Sequence, residues 1–388
     1  MADKTKKTIT LIAFVIYASL YVGTTSSLVG QSQMQNSAQG NVSLSKWRPT
    51  RELPGVRYVG ASTCAQCHTY QAEHFFTTPM SHALESVSDC GILIKRPRLT
   101  FSEGPYSYQI TRQGNRSIYT VSDGANTISE PILYCFGQGV AGQTYVLQHK
   151  GALYEGRVSY FQELRNLNIT ILHQRSVPTS LENALGRLMS PEGAKGCFSC
   201  HSTAAVSGAE LQLARLVPGV SCEACHGPGE KHVAAVKAKN FKDLQIFNPA
   251  NLDSFDLTQE FCGACHMSFE QAIAMPDHGG INNLRFQPYR IFSSRSHFKN
   301  DPRISCTACH DPHDHLEHEA SFYDSKCLAC HLSDSKEART PERTAAACPV
   351  SKQLCVTCHM PKVEVPEMHF KFTDHWIRIV KAGEPVPK

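Results

Sequence analysis

Residues 197–201 read Cys-Phe-Ser-Cys-His, and residues 222–226 read Cys-Glu-Ala-Cys-His. The same pattern, Cys-x-x-Cys-His, recurs at Cys262-Cys265-His266, Cys306-Cys309-His310, Cys327-Cys330-His331 and Cys355-Cys358-His359, and once far upstream at Cys64-Cys67-His68. We number these motifs 1 to 7 in chain order. They take up 14 of the 17 cysteines and 7 of the 19 histidines. At this composition chance would supply roughly 0.04 copies, so the repetition carries chemistry.

The spacing suits c-type haem attachment. Two thiols separated by two residues each form a thioether to one vinyl group of the same haem, and the following His takes the proximal iron position. The alternatives account for less. Zinc sites would need paired Cys-x-x-Cys units or a distant His pair, not a His after every second Cys. A thioredoxin-like motif comes singly, on a βαβ unit. Disulfides within each motif would leave seven histidines unexplained. The reading is seven covalent haems c, held by Cys64, Cys67, Cys197, Cys200, Cys222, Cys225, Cys262, Cys265, Cys306, Cys309, Cys327, Cys330, Cys355 and Cys358. Their proximal ligands are His68, His201, His226, His266, His310, His331 and His359.

The rest of the 388 residues sets the context. With 41% hydrophobic and 19% charged residues the chain is neither disordered nor a membrane bundle. Lys4, Lys6 and Lys7 precede the apolar run Ile9–Val22, so residues 1–30 read as a signal peptide or a retained N-terminal anchor to the cytoplasmic membrane. Either places the body in the periplasm or otherwise outside the cytoplasm. The formal charge of +4 is no argument for nucleic acid, since two propionates per haem outweigh it and Arg and Lys pair with them.

Along the chain, residues 31–57 read as a polar linker and 58–91 as a first haem segment. Residues 92–175 carry alternating runs at Tyr106–Ile110 and Ile118–Val121 around Gln113-Gly114-Asn115, a hairpin signature, and further strand-like runs to Tyr160. They read as a small antiparallel β insert. Residues 176–378 hold six motifs, at about 27 residues per haem from Cys197 to His359, too little chain for a conventional core. The haems would then be the core. The expected fold is mainly α and irregular, a multihaem cytochrome c fold with a stacked haem core and a small antiparallel β insert, followed by a tail at 379–388. A helix is expected at Leu181–Met189 behind the cap Ser180, and another at Val233–Lys239. Cys90 and Cys135 flank the insert and are either a disulfide or buried thiols; Cys348 stands alone.

Distal iron ligands must come from the other twelve histidines. His82, His232, His297, His313, His369 and His375 are the candidates from local context, each reaching a haem other than that of its neighbouring motif. His74, His149, His173, His278, His315 and His318 are weaker candidates. Six candidates for seven irons leave one haem that is five-coordinate, or that takes a Met ligand.

Val59-Gly60-Ala61-Ser62 with Ser81-His82-Ala83 resembles the start of the cytochrome c554 (cytochrome c-552/4) family, related to hydroxylamine oxidoreductase and pentahaem nitrite reductase. Gly219–Gly229 with His232, His310-Asp311-Pro312-His313, and His359–Lys362 with Phe372–His375 look like its haem segments, and Phe136–Phe161 like its β insert. The resemblance implies stacked, mostly bis-His haems in an exported redox protein. Departures are seven motifs against four in the type member, and no Cys-x-x-Cys-Lys motif. The functional expectation is electron transfer between redox partner proteins, a donor and an acceptor, and a homo-oligomer is compatible with it. The alternative is an oxidoreductase acting on a small nitrogen or sulfur compound at one five-coordinate haem, with no catalytic side chain assigned.

Overall fold

A long antiparallel sheet connects the first motif to the other six. A computed structural model describes residues 47–50, 57–208, 210–275, 280–294, 302–331 and 348–380. The N-terminal segment expected as signal or anchor, His278 and His297 lie outside the described residues. No described helix is long and apolar enough to cross a membrane.

The sheet strands are β1 (Leu84–Ser86), β2 (Arg98–Glu103), β3 (Tyr106–Gln113), β4 (Arg116–Ser122), β5 (Thr127–Phe136), β6 (Thr144–His149) and β7 (Ala152–Gly156). A separate hairpin of β8 (Val158–Phe161) and β9 (Asn166–Ile169) follows, and β10 (Gly186–Leu188) returns to the sheet. The order is β10-β7-β6-β5-β4-β3-β2, every pairing antiparallel, with β1 beside the end of β5. Gly114 and Asn115 form the tight connection of β3 to β4, where Gln113 faces Arg116. Alternation along β3 and β4 sends Tyr106, Tyr108, Ile110, Tyr119 and Val121 inward. Burying each is worth about 1.5–3 kcal/mol. They join Leu93, Leu99, Tyr145, Leu147, Val158 and Leu185 in the largest apolar cluster of the described residues. Cys90 and Cys135 lie side by side in it, both fully buried.

The expectation of a mainly α and irregular chain with a small β insert is therefore corrected. Eight strands form one sheet, and its outermost pieces extend beyond 92–175 in both directions, to β1 at residue 84 and β10 at residue 188. Three-residue strands carry no readable period, and their pairing depends on partners distant in sequence. The helix expected over 181–189 shows the same effect. Ser180 caps it by accepting from the Asn183 N–H, but it ends at Leu185. Gly186 then turns the chain, at φ 155, onto β7, where a Cβ would lie 2.1 Å from the Glu155 carbonyl oxygen.

The six-motif region is built otherwise. Its helices are short, and its apolar clusters are small: Trp47, Phe247, Leu257 and Phe261 in one, Leu284, Val365 and Met368 in another. So little buried carbon cannot by itself hold this much chain in place. The described residues belong to one compact unit, Val42–Lys388.

Candidate cofactor sites along the seven motifs

Each motif sits on a short helix or at its end: Ala61–Ala65, Pro191–His201, Cys222–His226, Gly263–His266, Cys306–Cys309, Asp324–His331 and Cys355–His359. One helical turn puts cysteines three apart on the same side, with the His beside them. Motif 4 is entered through a π-helical turn, Asp256–Cys262.

Buried carboxylates lock these helices together. Glu223, inside motif 3, accepts from the N–H groups of Val59 and Gly60 at 2.9 Å and of Gly229 at 2.7 Å, tying the start of motif 1 to motif 3. Nearby, Gly219 (φ 73) packs so closely on the Ser81 carbonyl that a Cβ would lie 1.9 Å from its oxygen. Asp324, heading the motif 6 helix, accepts from Leu354 N and Cys355 N at 2.8 and 2.9 Å, which fixes motif 7. Asp374 pairs with Arg290 through two 2.8 Å bonds and also with Arg378 at 2.7 Å. No sequence pattern marked these acids, because their partners are backbone or side-chain groups from distant segments.

Three histidines past one motif face the His of another. The His232 ring centre lies 6.3 Å from that of His68 with planes 27° apart, and His313 lies 6.0 Å from His226 at 8°. His375 lies 6.2 Å from His310 at 41°. Direct stacking would be far closer. Two imidazoles bound end-on to one metal, with bonds of about 2.0 Å and ring centres about 1.1 Å further out, have centres roughly 6.2 Å apart. The Nδ1 groups support the same geometry. Those of His226, His232 and His375 donate to the carbonyls of Phe247, Leu244 and Thr373 at 3.0, 2.7 and 3.0 Å. His201 and His359 do so to Ala83 and Arg378, each at 2.9 Å. A carbonyl at Nδ1 sets the tautomer that leaves Nε2 available to a metal. Burial lowers the basicity of His201, His226, His266 and His310, and takes His375 down to about 4.

Other sequence candidates are placed differently. Both ring nitrogens of His82 are engaged, by Glu85 at 3.1 Å and the Phe76 carbonyl at 2.9 Å. His369 Nε2 meets Asn168 Nδ2 at 3.1 Å, and its ring sits against Phe161. His74, His149 and His173 pair with Asp314, Glu130 and Glu155.

The donor set fits haem better than a bare ion. Among the described residues no three His, Cys, Asp or Glu side chains converge to hold a metal, whereas a porphyrin brings four of the six ligands itself and leaves two places for imidazoles.

Comparison with known proteins agrees with this chemistry. The family described as cytochrome c554 and c-prime matches residues 169–227, which contain motifs 2 and 3. Over 198 residues, 45% of this chain and 54% of the relative, the sequence is 24% identical to the multiheme cytochrome MtrA of Shewanella baltica (strain OS185). The chain thus spans about half the length of that curated relative. No solved structure matches.

Proposed function

We propose that this chain is an exported multihaem c-type cytochrome that transfers electrons, with one haem attached at each of the seven motifs. The observation that carries the reading is the set of three imidazole pairs, each joining residues from different motif segments at the separation of two ligands on one metal. The similarity to a multiheme cytochrome and to the cytochrome c554 and c-prime family supports it.

In this reading the haem supplies one-electron chemistry at its iron. The protein holds everything else. The motif cysteines would fix the ring, and His68 with His232, His226 with His313, and His310 with His375 would hold its iron. Backbone carbonyls hold the His226, His232 and His375 rings in one tautomer, and burial lowers the basicity of His226, His310 and His375. With both axial positions filled, such sites pass electrons and exclude substrates. The electron donor and acceptor would be redox proteins outside the cytoplasm.

The test is the haem content of the purified protein. Intact mass and the pyridine haemochrome spectrum should give seven covalent haems, mostly low-spin; fewer than six in fully matured material would overturn the reading.

One observation favours a second reading, reduction or oxidation of a small anion at an open haem. The Arg285 side chain is half-buried, and burial lowers its pKa. It lies close enough to His201 to depress that ring's basicity. Among the described residues its side-chain polar contact is the Met368 thioether at 3.9 Å. Burying a cation is costly, and either a propionate or an anionic substrate at motif 2 would balance it. Nitrite or sulfite should then perturb the Soret band of one haem in the native protein but not in Arg285→Met. Perturbation in neither would leave the propionate as the counter-charge.

A further inference from the structure

We infer that the motifs form one branched line in the order 1–3–4–5–6–7, with motif 2 joined at motif 4 as a side arm. This rests on the reading of the chain as a multihaem cytochrome and adds the route that electrons follow through it.

Contacts between motifs define the order. Glu223 of motif 3 accepts from the Val59 and Gly60 N–H groups ahead of motif 1, and the helices carrying Cys64 and Cys222 pack together, which joins motif 1 to motif 3. Cys225 and Cys262 pack on the same apolar cluster of Trp47, Phe247, Leu257 and Phe261, joining motif 3 to motif 4. The Cys306 Sγ lies 3.9 Å from Thr258 Oγ1 and the motif 5 helix packs on the Asp256–Cys262 turn, so motif 5 docks on the turn leading into motif 4. Cys309 neighbours Cys327, and the Tyr323 ring, just ahead of the motif 6 helix, is 5.7 Å from His310. The helices of motifs 6 and 7 pack, and Asp324 clamps the start of the motif 7 helix.

The side arm is equally direct. The Cys200 Sγ lies 3.7 Å from the Ala264 carbonyl oxygen, and the helices of motifs 2 and 4 pack. Motif 4 therefore has three neighbours, motifs 2, 3 and 5. A thioether fixes a porphyrin edge to its sulfur, so adjacent sulfurs bring porphyrin edges together.

Exposure agrees independently. Of the fourteen motif cysteines only Cys67 and Cys358 are exposed, and they belong to motifs 1 and 7, the two ends of the line. Motif 2 ends instead against the sheet. Its Phe198 ring lies 5.0 Å from both Tyr134 and Phe136, and His201 lies 5.3 Å from Phe136. Redox partners thus meet the line at motifs 1 and 7, and motif 2 is a covered arm off the through-route. With haem bound, each step would pass one electron from one motif to the next, with no bond changed and no proton moved.

The order is testable by timing. A ruthenium polypyridyl photosensitiser on Glu73→Cys, exposed beside motif 1, injects one electron into the full-length oxidised holoprotein. In separate variants one motif His is replaced by Met, which raises the potential of that site and makes it a spectroscopically distinct trap. Traps should fill in the order His226→Met, His266→Met, then His201→Met and His310→Met together, then His331→Met, and His359→Met last. Filling of the His201→Met trap before the His266→Met trap or after the His359→Met trap, or of the His359→Met trap before the His310→Met trap, overturns the order. If a Met variant loses its haem, a nitroxide on the same cysteine replaces the trap. Its relaxation enhancement in the otherwise unaltered protein should rank the haems by distance in that same order. Haem counts by mass separate the two failures. Too few haems in the native chain sinks the cytochrome reading, whereas a full count with the wrong order sinks only the wiring.

Discussion

Arg290 and Asp374 meet in a bidentate pair, two 2.8 Å bonds between side chains 4% and 0% exposed. Asp374 also accepts from the Trp376 N–H at 3.0 Å and from Arg378. The tail is thereby pinned to the body immediately beside His375, and the ring that faces His310 is held by a buried ion network. Asp374→Ala should cost about 3–5 kcal/mol, because it leaves an uncompensated buried guanidinium. Urea unfolding of the holoprotein gives the cost. A loss under about 1 kcal/mol would mean that solvent reaches the site in the native state.

The three imidazole pairs give three single-site outcomes. His232→Ala, His313→Ala and His375→Ala should each convert one haem from low-spin to high-spin and let one CO bind, with all seven haems still attached. Axial identity is a main lever on potential, so each variant should also shift one midpoint in a redox titration. Retention of the full low-spin spectrum in any of them would remove that His from the ligand set.

Gly219 should tolerate no side chain. At φ 73, with a Cβ site 1.9 Å from the Ser81 carbonyl oxygen, Gly219→Ala has to move backbone. The expected cost is about 1–3 kcal/mol or more. Thermal unfolding measures it, and a melting temperature equal to that of the native chain would contradict the packing of motif 3 on the motif 1 segment.

Acid should weaken the sheet through Glu155. Burial raises its pKa, but the His173 bond at 3.1 Å and the Arg187 charge outweigh this and leave it below the usual value. A depressed carboxylate stabilises the fold fully above its unfolded pKa of about 4.3, and this contribution is lost as pH falls through the lower folded value. Glu155→Gln should therefore flatten the fall in stability below about pH 4.3. Unfolding free energies measured down that range provide the check, and an unchanged acid slope would show that Glu155 is not among the groups responsible.

What could be read from the residues alone was local. Cys-x-x-Cys-His declares its chemistry within five positions, since both thiols and the imidazole must reach the same ring. The β3–β4 hairpin was also legible, because alternation and a two-residue Gly-Asn turn lie within one short stretch. So was the cap at Ser180, although the helix behind it is shorter than its pattern suggests.

Tertiary structure decided whatever depended on a partner far along the chain. β1 and β10 are strands only because β5 and β7 present free edges to them, and this is why one large sheet stands where a small insert was expected. His313 faces motif 3 because of where its loop is carried, not because of any residue beside it. Glu223 and Asp324 look like ordinary surface acids in the sequence and become clamps only when distant N–H groups arrive. A motif needs one ring and five residues. A sheet edge, an imidazole pair or a buried carboxylate needs two segments in register, and a sequence does not bring two segments together until the chain is folded.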